Sequence, residues 1–527
     1  MHANSGKITP LVLMALLALL LGALVVPAAA QDPVVLRFPI TSDPASLEPG
    51  LVKELISGQI ALNLHAGLFT YDKDTNVVPY LVSDYDVSED GTVYTFHLRD
   101  DALWHNGRPV VAEDFKIGWE RYLDPAVGSQ AGGDPFMDIV GAEALWNGEA
   151  TELTGVQALD EHTLEVTLTG PSLTFLQNLA VPLTWVVPAE SVVEGQPQWV
   201  DQPVGAGPFK FVEWVPNVRI VLEANDDFFL GRPAVDRIEF VVVPDASTAL
   251  NQYEAGEVDI VGVPASDLPR VSEDPVLGQQ LAYFTRAQLL YAGMNQSQFE
   301  PFKDVRVRQA FNYAIDKVTL ADQVLNGVRV PATGLVPPNI PQYNPDLQGY
   351  AYDPEMAQQL MADAGYPNGE GFPSLTLASL SSTDAEAIAA MLNSNLGINV
   401  EIVTPERADM IDGLWAHDRW QFFNFGWTAD SPSASVWTYE LIYCGLDSNF
   451  STYCNPDVDA LIDQARASTD FEESKSFWQQ AEIAAMDDAA LIPLGYARYI
   501  YLVNPEVTGF YANLFGPMGF DTVVKAS

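Results

Sequence analysis

Positive charge is scarce in this 527-residue chain: 25 lysines and arginines stand against 70 aspartates and glutamates, a formal charge of −45. So acidic a chain repels polyanions, which excludes nucleic acid and anionic lipid as partners. It would draw in cations, and it serves equally to keep a protein soluble in a salty, hot or acidic habitat. Cysteine is scarcer still. Cys444 and Cys454 are the two present, ten positions apart in CGLDSNFSTYC, with no further Cys or His nearby. In an oxidising compartment that spacing predicts a local disulfide rather than a metal site. A bridge closing so short a loop would stabilise the fold by about 2 to 3 kcal/mol and pin one surface segment.

Catalytic patterns are missing as well. There is no Gly-x-Ser-x-Gly turn to strain a nucleophilic serine into the open. The nearest thing to a phosphate cradle, VGAGPFKF at 204–211, lacks the Lys-Ser/Thr ending and reads as a turn into a strand. Six histidines show no metal-ligand spacing, His97 and His105 included. YDKDTN at 71–76 lacks the glycine and the distal glutamate of a calcium loop. Paired carboxylates suit glycosidases, yet among 70 acids any pairing arises freely. No catalytic residue, cofactor or metal is therefore expected.

Long apolar runs are absent after the first thirty residues. Those thirty hold one lysine, an apolar run from Leu11 to Val26 and a small-residue end at Ala28–Ala30. They read as a secretory signal peptide, 1–30, cleaved before Gln31. A membrane anchor is the weaker reading, since the run falls short of the roughly 20 residues a spanning helix needs. The expected location is extracytoplasmic, in the periplasm or at the cell exterior. Also missing are repeats, low-complexity blocks and a Ser/Gly-rich linker. The remainder exceeds the size at which a single core stops growing, so two or more domains are expected. Without linkers, they must interleave through short crossings.

What is present alternates. VVLRFPI (34–40), VYTFHLR (93–99), HTLEVTLTG (162–170), RIVLEAN (219–225) and RIEFVVVP (237–244) predict strands bounded by turn residues. Helices are predicted at 111–123, at 247–258 behind a capping Ser247, and at 304–325, 353–366, 382–397 and 457–468. Such alternation predicts α/β domains.

Several strings together resemble one family. In VPYLVSDYDVSEDGTVYTFHLRDDALWHNGRPVVAEDFKIGWERYLDP (78–125), residues Trp104, Asn106, Gly107, Pro109, Ala112, Asp114 and Phe115 fit the most recognisable segment of the family 5 extracellular solute-binding proteins. The similarity continues, in the expected order, at 203–229, 302–317, 364–373 and 455–465. The resemblance implies a two-lobed, type II periplasmic-binding-protein-like α/β fold, with an additional domain and a hinge between interleaved lobes. Its implied limits are 31–66, 185–285 and 497–527 for lobe I, 67–184 for the additional domain and 286–496 for lobe II. It implies a monomeric, non-catalytic receptor that captures short peptides and delivers them to the permease subunits of an ABC transporter. The same fold in relatives takes other solutes such as sugars, metal chelates or opines. A secreted hydrolase is the rival of another class.

The resemblance also offers site residues. Asp430, in FGWTADSPSAS, matches the aspartate that accepts a peptide's α-amino group in such receptors. An ammonium entering a dry cleft needs a compensating anion, although an aspartate before Ser431 and Pro432 also suits a turn or cap. Gly426, Trp427, Thr428 and Ala429 lead into it; their backbone would hold the peptide main chain while Trp427 walls the cleft, core packing being the alternative for that ring. Arg407 is the candidate for the ligand carboxylate, with a surface salt bridge as its ordinary use. Thr428 stands where larger relatives carry a bracing cysteine, so the expected bridge between Cys444 and Cys454 lies elsewhere.

Overall fold

The structure, a computed structural model, describes residues 32–52, 54–129, 134–193, 196–197, 203–429, 431–514, 516–517 and 519–526. The expected signal peptide lies outside the described residues. Among them, no helix is long and apolar enough to cross a membrane.

Each strand predicted from alternation is present. Val35–Ile40 pairs in parallel with Arg237–Val242, which continues antiparallel through Arg219–Ala224 to Phe209–Val215. The inward residues of this four-stranded sheet, among them Leu36, Phe38, Leu222 and Phe240, bury one core. A second four-stranded sheet is wholly antiparallel, in the order Val82–Val87, Val93–Leu98, Thr163–Thr167, Val156–Ala158. It covers a separate core rich in aromatics, including Phe69, Phe96, Trp119 and Phe175. The third sheet has seven strands and carries two further cores on its opposite faces.

Two long strands of that third sheet join the cores. Leu281–Met294 and Ile492–Val503 run antiparallel to each other. Their Leu281–Thr285 and Arg498–Leu502 halves adjoin Ile260–Gly262 and the first core, where Phe284 and Tyr501 pack. Their other halves bury Leu289, Tyr291, Ile492 and Leu494 in the cores on either face of the third sheet. Between Thr285 and Leu289 the register shifts. A shift of this kind leaves residues unpaired and bends the strand.

Two helices differ from expectation. The stretch 304–325 breaks after Ala314: Ile315 is extended, and Asp316 caps a new turn by accepting from the Thr319 N–H at 3.0 Å and its hydroxyl at 2.7 Å. The aspartate offers the backbone a local partner that competes with continuing the helix. Helix Ala246–Glu254 is capped by Asp245, accepting from Thr248 N–H at 2.7 Å, rather than by Ser247. The carboxylate two positions earlier already satisfies the orphan N–H.

The motif around Trp104 builds scaffold. Asp114, 1% exposed, accepts from the Trp104 indole at 3.0 Å, from Arg108 at 2.7 and 3.1 Å, and from the backbone N–H groups of Val111 and Ala189, each at 3.1 Å. One buried carboxylate thus ties a loop, a helix start and a distant segment. Nearby, VGAGPFKF is indeed a turn running into a strand. Gly205 and Gly207 lie so close to the end of helix Leu55–Leu64 that a Cβ would sit 1.8 Å from the Leu64 carbonyl oxygen or 2.6 Å from its carbon. His105 staples the turn, its Nδ1 accepting from the Gly205 N–H at 3.1 Å and its Nε2 lying 3.0 Å from the Gly207 carbonyl. Nδ1 therefore has to stay unprotonated. Burial pushes His105 down to about 3 and the enclosed His65 down to about 4.

Two outcomes follow from these contacts. Replacing Asp114 by alanine leaves three buried donors without their acceptor and Arg108 with Glu190 as its remaining carboxylate, and should cost about 3 to 5 kcal/mol in urea unfolding. His65 and His105 are neutral in the fold, so below about pH 6.5 the unfolded chain takes up protons that the folded chain refuses. Stability present above that pH should be lost as pH falls toward 4, by about 3 kcal/mol from His65 alone. Urea midpoints measured from pH 7 to 4 check this, and His105→Asn should flatten the acid limb.

Candidate ligand-binding site

The stretch holding the predicted site residues is a strand, Phe422–Thr428. Phe422 and Phe423 are buried because two sheet neighbours flank them, Leu281–Met294 on one side and Leu375–Ser379 on the other. Pairing with Leu281–Met294 extends the full length, from Phe422↔Met294 to Thr428↔Gln288. Pairing with Leu375–Ser379 stops at Asn424↔Ser379. Beyond Asn424 the strand is therefore an edge.

Which backbone groups that edge offers can be derived. The Ala429 N–H donates to the Ala287 carbonyl at 2.8 Å. In an antiparallel ladder the hydrogen-bonded pairs alternate, so Trp427 and Phe425 also turn their backbone groups toward Leu281–Met294. Gly426 and Thr428 turn theirs the other way, where they have no backbone partner among the described residues.

Side chains around the edge are held firmly. Trp427, half-buried, donates its indole N–H to Glu440 Oε2 at 2.9 Å and meets Phe450 edge-on at 5.7 Å between centroids. Trp415, 50% exposed, meets the same Phe450 at 5.3 Å. Thr428 accepts at its hydroxyl from Gln288 Nε2 at 2.9 Å. That bond crosses to the neighbouring strand. A Cβ on Gly426 would lie 3.2 Å from the same Gln288 amide, so the residue keeps the face over the edge low.

The other predicted residues are spread more widely. Asp430 lies outside the described residues. Arg407 is exposed at the first position of helix Arg407–Ala416. Cys444 and Cys454 are joined, with Cα atoms 4.7 Å apart, between helices Ser435–Ile442 and Pro456–Ala467. Asp459 comes near both sulfurs, but they are bonded to each other, and its Oδ1 accepts the Cys444 N–H at 3.1 Å. Sequence reasoning passed over Gln288, which holds the Thr428 hydroxyl. The one signal was in LAYFTRAQLLYAGM, where Arg286 and Gln288 interrupt an otherwise apolar strand.

Residues 76–449 match the model of the bacterial extracellular solute-binding proteins, family 5. The chain belongs to that family. It is 32% identical to the "Probable deoxycholate-binding periplasmic protein" of Escherichia coli over 92% of this chain and 91% of the relative. It is 28% identical to the dipeptide-binding protein of the same organism over 85% and 86%. Among solved structures it is similar to the periplasmic murein tripeptide-binding protein of Escherichia coli in its unliganded open form, with 26% identity, a TM-score of 0.85 and coverage of 94% and 98%. A second structure of that protein gives 0.69 at the same 94% coverage of this chain. The fold is thus the two-lobed one of periplasmic solute-binding proteins.

The indole anchor of this binding protein has a measurable consequence. Trp427→Phe keeps a ring against Phe450 and loses the bond to Glu440, and should lower stability by about 1 to 2 kcal/mol in urea unfolding.

Proposed function

We propose that this protein is an extracytoplasmic receptor that binds short peptides between its lobes and delivers them to the permease subunits of an ABC transporter. The observation that carries the reading is the open edge at Gly426 and Thr428. An extended peptide can add there as a further strand, held by main-chain bonds that are blind to its sequence. Trp427 flanks that edge, and Asp430, adjoining Ala429 in sequence, supplies the anion for the peptide's α-amino group. A charge-assisted bond of that kind is worth about 1.5 to 3 kcal/mol. Relatives named for dipeptide and murein tripeptide binding support the ligand class. Closure over the ligand would create the surface that the permease distinguishes from the open form. The protein acts as a monomer and carries out no catalysis.

In this reading lobe I comprises 31–66, 185–285 and 497–527, the additional domain 67–184 and lobe II 286–496. What supports the division is that each of the four-stranded sheets falls within one unit, and that the register shift after Thr285 falls at a boundary. A second reading, a non-peptide solute in the same cleft, is favoured by the relative named for deoxycholate.

Asp430→Ala separates the two. It should weaken peptide binding by about 2 to 5 kcal/mol, measured by calorimetry, and leave binding of a neutral sugar nearly untouched. Native mass spectrometry of the mature protein should find intact peptides retained; a retained steroid or sugar in their place would sink the peptide reading.

A further inference from the structure

We propose that the Cys444–Cys454 disulfide regulates the ligand site: the loop it closes holds Phe450 as a positioning residue for Trp427, and reduction of the bond by a dithiol weakens ligand binding. The binding half of this assignment rests on the peptide reading above.

Phe450 lies between the two cysteines and is 3% exposed. Its ring meets Trp415, Trp427, Phe425 and Phe423 edge-on, at 5.3, 5.7, 6.3 and 6.4 Å between centroids. That is a favoured geometry for aromatic pairs. Phe423, Phe425 and Trp427 alternate along strand Phe422–Thr428 and so share one face of it. One ring from the loop therefore props the face of the strand whose edge is the candidate site. The other hold on Trp427 depends on the same loop. Glu440, which accepts the indole N–H, has its carbonyl bonded by the Ser448 hydroxyl at 2.6 Å.

Asn449 links the disulfide to that ring. It is 2% exposed, and its Nδ2 donates to the Tyr443 carbonyl at 3.1 Å and the Tyr453 carbonyl at 2.7 Å. Tyr443 and Tyr453 directly precede the cysteines. One amide reaches both carbonyls only while the two segments lie side by side, and the disulfide keeps their Cα atoms 4.7 Å apart. The loop also carries strain. Thr452 has a φ of +49°, a conformation that a β-branched residue rarely adopts. Its hydroxyl fixes it there, donating to Asn295 Oδ1 at 3.1 Å and accepting from the Ser297 N–H at 3.0 Å. Such strain persists only where the surroundings over-determine it. Opening the crosslink frees the loop and gives the strained residue a way to relax.

The reaction has an accessible point of entry, since Cys454 is exposed and Cys444 half-buried. A thiolate of the dithiol attacks the Cys454 sulfur, the S–S bond breaks, and Cys444 leaves as a thiolate that takes up a proton. The second thiol of the reagent then displaces Cys454 from the mixed disulfide. Two electrons and two protons pass to the protein, and the dithiol departs as a disulfide.

Fluorine NMR of the full mature chain labelled with 5-fluorotryptophan tests the positioning, the lines of Trp415 and Trp427 being assigned from Trp415→Phe and Trp427→Phe. Dithiothreitol should shift those two lines and leave those of Trp104, Trp119 and Trp185, in the aromatic core of the other sheet, where they were. Reoxidation should restore them, and Phe450→Leu should move the Trp427 line without any reductant. Calorimetry with alanine-based tri- to pentapeptides tests the regulation. The reduced chain, and Cys444→Ser/Cys454→Ser without reductant, should bind the best of them about threefold to thirtyfold more weakly than the oxidised chain. An unmoved Trp427 line in fully reduced protein, or movement of every line together, overturns the positioning role. Equal binding by the oxidised and reduced chains overturns the regulation and leaves the peptide reading standing. If the oxidised chain binds none of the peptides, the peptide reading falls and the regulation with it, while the fluorine lines still decide whether the loop positions Trp427.

Discussion

Two strands, Leu281–Met294 and Ile492–Val503, have to serve more than one hydrophobic core at once, and much of the molecule is arranged around that constraint. At one end they present Phe284 and Tyr501 to the core of the four-stranded sheet; at the other they bury Leu289, Tyr291 and Leu494. A ladder with unbroken register would force a single face on both ends. The shift between Thr285 and Leu289 resolves this by bending the pair. Arg286 falls within that shift, whereas Gln288 already pairs with Thr428 and donates its amide to that residue's hydroxyl.

Charge follows a related logic. Enclosed arginines are matched in several places: Glu48 holds Arg121 and Asp384 holds Arg329. The enclosed histidines are kept neutral, one of them by a backbone N–H aimed at its ring nitrogen.

Much of the fold could be read in the sequence, and the exceptions have local causes. Alternation placed three strands of one four-stranded sheet and two of the other, because a sheet with one covered face imposes a period of two. The helix predicted over 304–325 failed at Asp316, where a side chain offered the backbone an alternative. The recognisable run from Trp104 to Phe115 pointed to the family, yet nothing in it disclosed that Asp114 gathers bonds from Ala189, 75 positions away. The glycines of VGAGPFKF read correctly as a turn. Their necessity comes from helix Leu55–Leu64 pressing on them.

The site was legible only in part. The Gly426–Ala429 stretch could be named as a candidate from its resemblance, whereas the bond from Gln288 to Thr428 could not, since a lone glutamine in an apolar strand carries no sign of what it will face. The sequence by itself determined the elements, the acid surplus, the spacing for a disulfide and the family, all of which depend on composition or short-range order. Only the tertiary structure decided that Leu375–Ser379 stops pairing at Asn424, and so exposes an edge, and that the register shifts between Thr285 and Leu289. Both depend on where strands distant in sequence begin and end against one another, and no local pattern records that.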